Sequence, residues 1–140
     1  MIGHTNRINY ITATENGFIF SSSNDCTIRQ WNIATGACNS IYKFADPVSV
    51  VRISQAHNMM FTASWDKMVR IVDLEANKVN KSFVASKEAI KAMIVTDKYI
   101  FVAGCDPIIS IQIIISHLFI IIYDIIIGGF SLETGECKMY

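Results

Sequence analysis

Three hexapeptides decide the reading of this chain: Phe20-Ser21-Ser22-Ser23-Asn24-Asp25, Phe61-Thr62-Ala63-Ser64-Trp65-Asp66 and Phe101-Val102-Ala103-Gly104-Cys105-Asp106. Their phenylalanines and their aspartates recur at intervals of 41 and 40 residues. A fixed period near 40 marks a repeat architecture, in which each unit leaves an apolar face for its neighbour to cover.

Working outward from the hexapeptides, each unit has the pattern of short antiparallel strands. Ile8, Ile11 and Ala13 match Val48, Val51 and Ile53, then Ile90, Met93 and Val95, and each set precedes the run that ends in the hexapeptide. Polar turn residues separate these runs, Glu15-Asn16-Gly17, His57-Asn58 and Thr96-Asp97-Lys98, which is the spacing of hairpins. Further strands follow the first two aspartates: Thr27 to Trp31 and Met68 to Val72, then Cys38 to Phe44 and Lys78 to Phe83. Four strands in about 40 residues is the blade of a β-propeller. The expected fold is therefore all-β: a partial propeller of three four-stranded antiparallel blades, spanning about 3–44, 45–84 and 85–140.

Gly3-His4 ahead of the first unit, Ser21 four residues before Asp25 and Trp31-Asn32 six after it resemble the WD-repeat family, over all of the chain except one isoleucine-rich stretch. In that family a His, a Ser or Thr, a turn Asp and a Trp form a buried hydrogen-bonded chain, and the resemblance places it on His4, Ser21, Asp25 and Trp31. Asp66 and Asp106 are the matching turn aspartates. The logic holds without the family, because an Asp in a tight turn accepts from local N–H groups and a buried polar group must find partners. These residues are expected to be structural, not a catalytic triad, since Ser21 falls within a strand. The second unit lacks the Gly-His pair and the third has Val102 where a hydroxyl is expected, so those two units are expected to hold mainly by apolar packing.

Isoleucine occurs 24 times, and 12 of these fall between Ile108 and Ile127. The length suits a membrane span, with Asp124 as the main cost. A span between two strands that must pair would put them on opposite sides of a bilayer, so the blade and the span exclude each other. The turn Ala34-Thr35-Gly36-Ala37-Cys38 is echoed by Glu133-Thr134-Gly135-Glu136-Cys137; Gly36 and Gly135 lie 99 residues apart where two repeats would give 81, an excess of 18. We expect residues 110–127 to be an insertion in strand c of the third blade, translated from a retained intron, with a genuine insertion as the alternative. Within the protein such a segment would be an aggregation hazard, or a helix or hairpin extruded from the blade. Without it three blades remain, fewer than the four to eight that close a propeller. The chain is thus expected to be a fragment of a longer protein or to complete its ring by self-association.

Twelve basic and twelve acidic side chains cancel, which argues against a nucleic-acid grip. Cys26, Cys38, Cys105 and Cys137 form no CxxC, and His4, His57 and His117 are scattered, so no metal site or cofactor is expected. No phosphate loop or nucleophile elbow is present, no secretory leader opens the chain, and a cytoplasmic protein without catalytic activity is expected. The resemblance implies that protein partners dock on the end of the blades that carries the b–c turns and the starts of strand a. By position these are Arg7, Asn9, Asn24, Trp65 and Lys91, with Pro47, Ser49, Ala89 and Cys105 beside them. Trp65 is the leading candidate, because an aromatic on a loop has no core to fill. The expected function is a protein-interaction scaffold; the alternative is a substrate-recognition module of a larger enzyme complex such as a ubiquitin ligase.

Overall fold

A computed structural model of the chain describes residues 1–105, 107, 109–115 and 118–125, with side chains as far as Ser110. Asp106 and the turn at 133–137 lie outside the described residues. Among the described residues, twelve strands build three antiparallel sheets of four. The first holds β1 (Ile8–Ala13), β2 (Phe18–Ser23), β3 (Thr27–Asn32) and β4 (Cys38–Lys43). The second holds β5 (Val48–Ser54), β6 (Met59–Ser64), β7 (Met68–Asp73) and β8 (Lys78–Val84). The third holds β9 (Ile90–Val95), β10 (Tyr99–Gly104), β11 (Ile109–Ile115) and β12 (Leu118–Ile125). Each sheet follows chain order from strand a to strand d, the expected open, partial propeller.

The repeat extends to backbone geometry. Left-handed φ angles recur at Gly17 and Asn58 in the a–b turns, at Cys26 and Lys67 in the b–c turns, and at Gly36 and Asn77 in the c–d turns. Glycine and asparagine tolerate this region, whereas Cys26 and Lys67 hold it against the steric clash of a Cβ. At the start of strand a the pairing slips by one residue in all three sheets, so Asn9, Ser49 and Lys91 are each a bulged extra residue.

Period-two alternation gives every sheet two faces, and apolar area is removed from water where neighbouring sheets meet. Between the first and second sheets lie Phe20, Ile28, Val48, Val51, Met60 and Val72. Between the second and third lie Phe61, Ala63, Val69, Ile71, Ile90, Met93, Ile100 and Val102. Phe20 and Phe61 thus hold equivalent positions one interface apart, as their spacing requires.

The isoleucine-rich residues are placed differently from expectation. They are not extruded: β11 continues through Ser110 to Ile115 in register with β10, and β12 pairs with β11, so this stretch fills the c and d positions of the third sheet. β-branched side chains suit a pleated sheet, and the free edge of β10 offers a full ladder of hydrogen bonds. Among the described residues, no helix is long and apolar enough to cross a membrane.

Candidate functional site

Two polar constellations emerge from the first sheet, one closed and one open. The closed one joins the four residues predicted as a network. Trp31 Nε1–H donates to Ser21 Oγ at 2.8 Å, Ser21 Oγ lies 2.7 Å from His4 Nε2, and His4 Nδ1 lies 2.8 Å from Asp25 Oδ2. Because indole only donates, the consistent proton order runs from Trp31 through the Ser21 hydroxyl to His4 Nε2, with His4 Nδ1–H given to the carboxylate. Asp25 also accepts from the Thr27 hydroxyl at 2.6 Å and the Thr5 amide at 3.0 Å. Burial alone would raise the Asp25 carboxyl, but the hydrogen bonds from Thr27, His4 and Thr5 outweigh it and hold the group well below the usual carboxylate range.

These are the atoms of a Ser–His–Asp relay without the access that acyl transfer needs. Ser21 is 2% exposed and its oxygen already accepts from Trp31. The set instead ties the segment before strand a to the b–c turn and to strand c.

The second sheet solves the same position another way. Asp66 accepts from Arg70 Nη2 at 2.6 Å and from the Met68 amide at 3.1 Å, and the Arg70 guanidinium lies 5.5 Å from the Phe44 ring centroid. Apolar packing was expected to carry most of the load here; the ion pair adds to it, and its sequence signal was an Arg four residues after the Asp. Thr62, equivalent to Ser21, keeps a fully buried hydroxyl without a hydrogen-bond partner.

The open constellation lies at the b–c turn end and is built by repetition. Backbone amides of Asn24, Trp65 and Cys105 donate to the carbonyls of Arg7, Pro47 and Ala89 at 2.9, 3.0 and 3.2 Å, pinning each b–c turn to the start of its strand a. The bulged residues lean toward the next sheet: Asn9 Nδ2 donates to Val48 O at 2.9 Å and Ser49 Oγ to Ile90 O. Lys91, the third of the series, turns back, its ammonium 3.6 Å from the Trp65 ring centroid. A bulge re-aims a side chain in this way.

Arg7, Ile8, Asn9, Ser49, Trp65 and Lys91 line a hollow of about 280 Å³, two of them cations and, among the described residues, none a carboxylate. The indole of Trp65 remains 37% exposed. Four of the five residues predicted to meet partners are thereby brought together. Asn24 stands behind them, accepting from Asn9 Nδ2 at 2.7 Å, so both asparagines are committed to holding the turn and the interface. Ile8 was missed because it was read only as a strand-a position matching Val48 and Ile90. A larger hollow of about 470 Å³ opens at the opposite strand ends, where its aromatic members, Phe18 and Phe20, belong to the core. Among the described residues no three His, Cys, Asp or Glu side chains are placed to hold a metal ion.

With this geometry in hand, comparison with known proteins is informative. The family model described as "WD domain, G-beta repeat" matches residues 1–32 and 36–73, half of the chain. No curated protein matches it in sequence. Among solved structures, one described as "Structure of U3-55K" superposes with a TM-score of 0.76 at 15% identity, over 88% of this chain and 41% of that one. Another, "Crystal structure of RRP9 WD40 repeats", gives the same TM-score and identity over 88% of this chain and 40% of that one. The chain thus spans about two fifths of the length of these structures, and at this identity the likeness concerns the fold.

Proposed function

The chain belongs to the WD-repeat family, whose members are generally non-catalytic scaffolds, and on that premise we propose that it is a protein-interaction module whose docking patch is the hollow around Trp65. The observation that carries the reading is the conjunction of a Trp65 that is 37% exposed with two cations in one hollow whose described lining holds no carboxylate. Trp and Arg dominate binding hot spots, and truncating such an anchor costs about 2 kcal/mol or more. The chemistry fits a partner segment that carries an acidic residue next to an apolar one. The acid would meet Arg7 and Lys91, and the apolar side chain would cover Trp65 and Ile8. We place the protein in a reducing compartment such as the cytoplasm, which suits the free thiols of Cys26, Cys38 and Cys105.

Selection of a random peptide display library on the intact chain tests this. Selected peptides should be rich in Asp or Glu and should bind Trp65→Ala and Arg7→Ala at least about tenfold more weakly. Ile33→Ser, at the opposite strand ends, should bind them unchanged. Peptides indifferent to both patch variants would refute the assignment.

A further inference from the structure

The hollow of about 470 Å³ at the a–b turn end lies between the first and second sheets, so both of its walls are described. Its floor is apolar, formed in part by Phe18 of the first sheet and Leu74 of the second, each packed against the core between them. Above the floor stand Gln30, Gln55, Asn58 and Glu15, and among the described lining residues Glu15 is the one ionisable group.

Gln30 is the residue that breaks the repeat. It pairs with Phe20 as Ile71 pairs with Phe61 and Ile111 with Phe101. Ile71 is 5% exposed in the core between the second and third sheets, whereas Gln30 puts a half-buried carboxamide at the same place between the first and second. Drawing a carboxamide out of water without a partner costs free energy, and a local rule is broken in this way where a site needs the group. Among the described residues, the side chains of Gln30, Gln55, Asn58 and Glu15 make no hydrogen bond or ion pair. The backbone beneath them is nonetheless fixed: the Leu74 amide donates to the Asn58 carbonyl at 3.1 Å, and the Asn58 amide to the Gln55 carbonyl at 3.2 Å.

We propose that this hollow is a second docking site, for a partner segment that presents an arginine beside an apolar side chain. Three amide oxygens and one carboxylate offer acceptors, and no cation among the described lining competes for them. A guanidinium has five N–H donors, no acceptor and a flat face that rests on an aromatic ring, so it suits these oxygens and the Phe18 ring better than a lysine ammonium does. The same pairing already occurs where these two sheets meet: the Arg52 guanidinium lies 4.3 Å from the Tyr10 ring centroid, and that of Arg70 5.5 Å from Phe44. The apolar neighbour of the arginine covers Leu74. The two ends of the strands then carry opposite preferences, an acidic segment at Trp65 and a basic one here, and neither site depends on the other.

Selection of a random peptide display library on the intact chain, with counter-selection against Gln30→Ile, tests this, because that variant keeps the Trp65 hollow and loses the carboxamide. Surviving peptides should be rich in Arg next to Leu, Ile, Val or Phe. Replacing that Arg in the synthetic peptide by citrulline, which has nearly its shape without its charge, should weaken binding at least about tenfold. Glu15→Gln in the chain should weaken it about threefold, as suits an exposed carboxylate. Trp65→Ala should bind these peptides unchanged, which separates a failure here from a failure at the other hollow. If Gln30→Ile loses its sheet signal in circular dichroism, Gln55→Ala takes its place in the counter-selection. Survivors without arginine, survivors indifferent to both citrulline and Glu15→Gln, or no enrichment over the unselected library overturn the inference.

Discussion

Replacing Ser21 and Thr62, equivalent positions 41 residues apart, should change stability in opposite directions. Ser21→Ala removes an oxygen that accepts from Trp31 Nε1–H at 2.8 Å and stands 2.7 Å from His4 Nε2. Trp31 is buried, so its indole N–H is left without an acceptor, at a cost of about 1–3 kcal/mol, and the loosened His4 adds to it. We expect about 2–3 kcal/mol of destabilisation. Thr62→Val exchanges a hydroxyl for a methyl of nearly the same shape at a site where that hydroxyl has no partner. Removing an unsatisfied buried polar group should stabilise by about 1 kcal/mol. The third sheet already carries this solution, with Val102 buried in the core between sheets. For a chain of this size, 1 kcal/mol moves Tm by about 4 °C, so the two variants should melt about 12–16 °C apart. Thermal melts by circular dichroism, backed by urea unfolding, read the difference. A Ser21→Ala variant within about 0.5 kcal/mol of the parent, or a Thr62→Val variant destabilised by more than about 1 kcal/mol, would refute the accounting of buried polar groups.

Three further outcomes are expected. Because the folded Asp25 carboxyl lies below its unfolded value, it contributes stability that is complete above the ordinary Asp range and fades as pH falls from about 4 toward the depressed value. Asp25→Asn should therefore be less stable than the parent at pH 7 and should lose less on acidification, as urea titrations at pH 7 and pH 3 would show. Lys67→Gly should stabilise by about 0.5–1 kcal/mol, since Lys67 holds φ at 71° and glycine relieves the Cβ clash, while Lys67→Val should do the reverse. Trp65→Ala should shift Tm by no more than about 2 °C, because the ring is part-exposed and its main contact is the Lys91 ammonium; a much larger loss would make packing, not docking, its main role.

The parts of the fold that were legible in the sequence are those governed by local chemistry repeated at a fixed interval. The recurring Phe and Asp positions gave the period, and the alternation of Ile8, Ile11 and Ala13 with their equivalents gave strand a. The network of His4, Ser21, Asp25 and Trp31 was legible through the resemblance to the WD-repeat family, which assigns each member by its position. Less legible were features set by pairing register. No propensity marks Asn9, Ser49 and Lys91 as bulged, yet the bulge turns them toward the neighbouring sheet and puts Lys91 on Trp65. Asn9 and Asn24 could be read as exposed polar residues, whereas they hydrogen-bond each other. The Arg70–Asp66 pair escaped because the family pattern drew attention to a missing His and away from a strand-c arginine. The isoleucine-rich stretch was judged an insertion by repeat arithmetic anchored on the turn at 133–137, which lies outside the described residues, and a composition that favours sheet in any context could not say which edge the stretch would join.

The measurement that bears most directly on side-by-side stacking of the sheets is a set of inter-sheet nuclear Overhauser effects from the phenylalanine rings. Stacked blades require cross-peaks from Phe20 to the methyls of Val48, Val51 or Met60, and from Phe61 to those of Met93 or Val102, with none from Phe20 to Met93. Rings that contact only residues of their own sheet, or Phe20 and Met93 in one cluster, would contradict it.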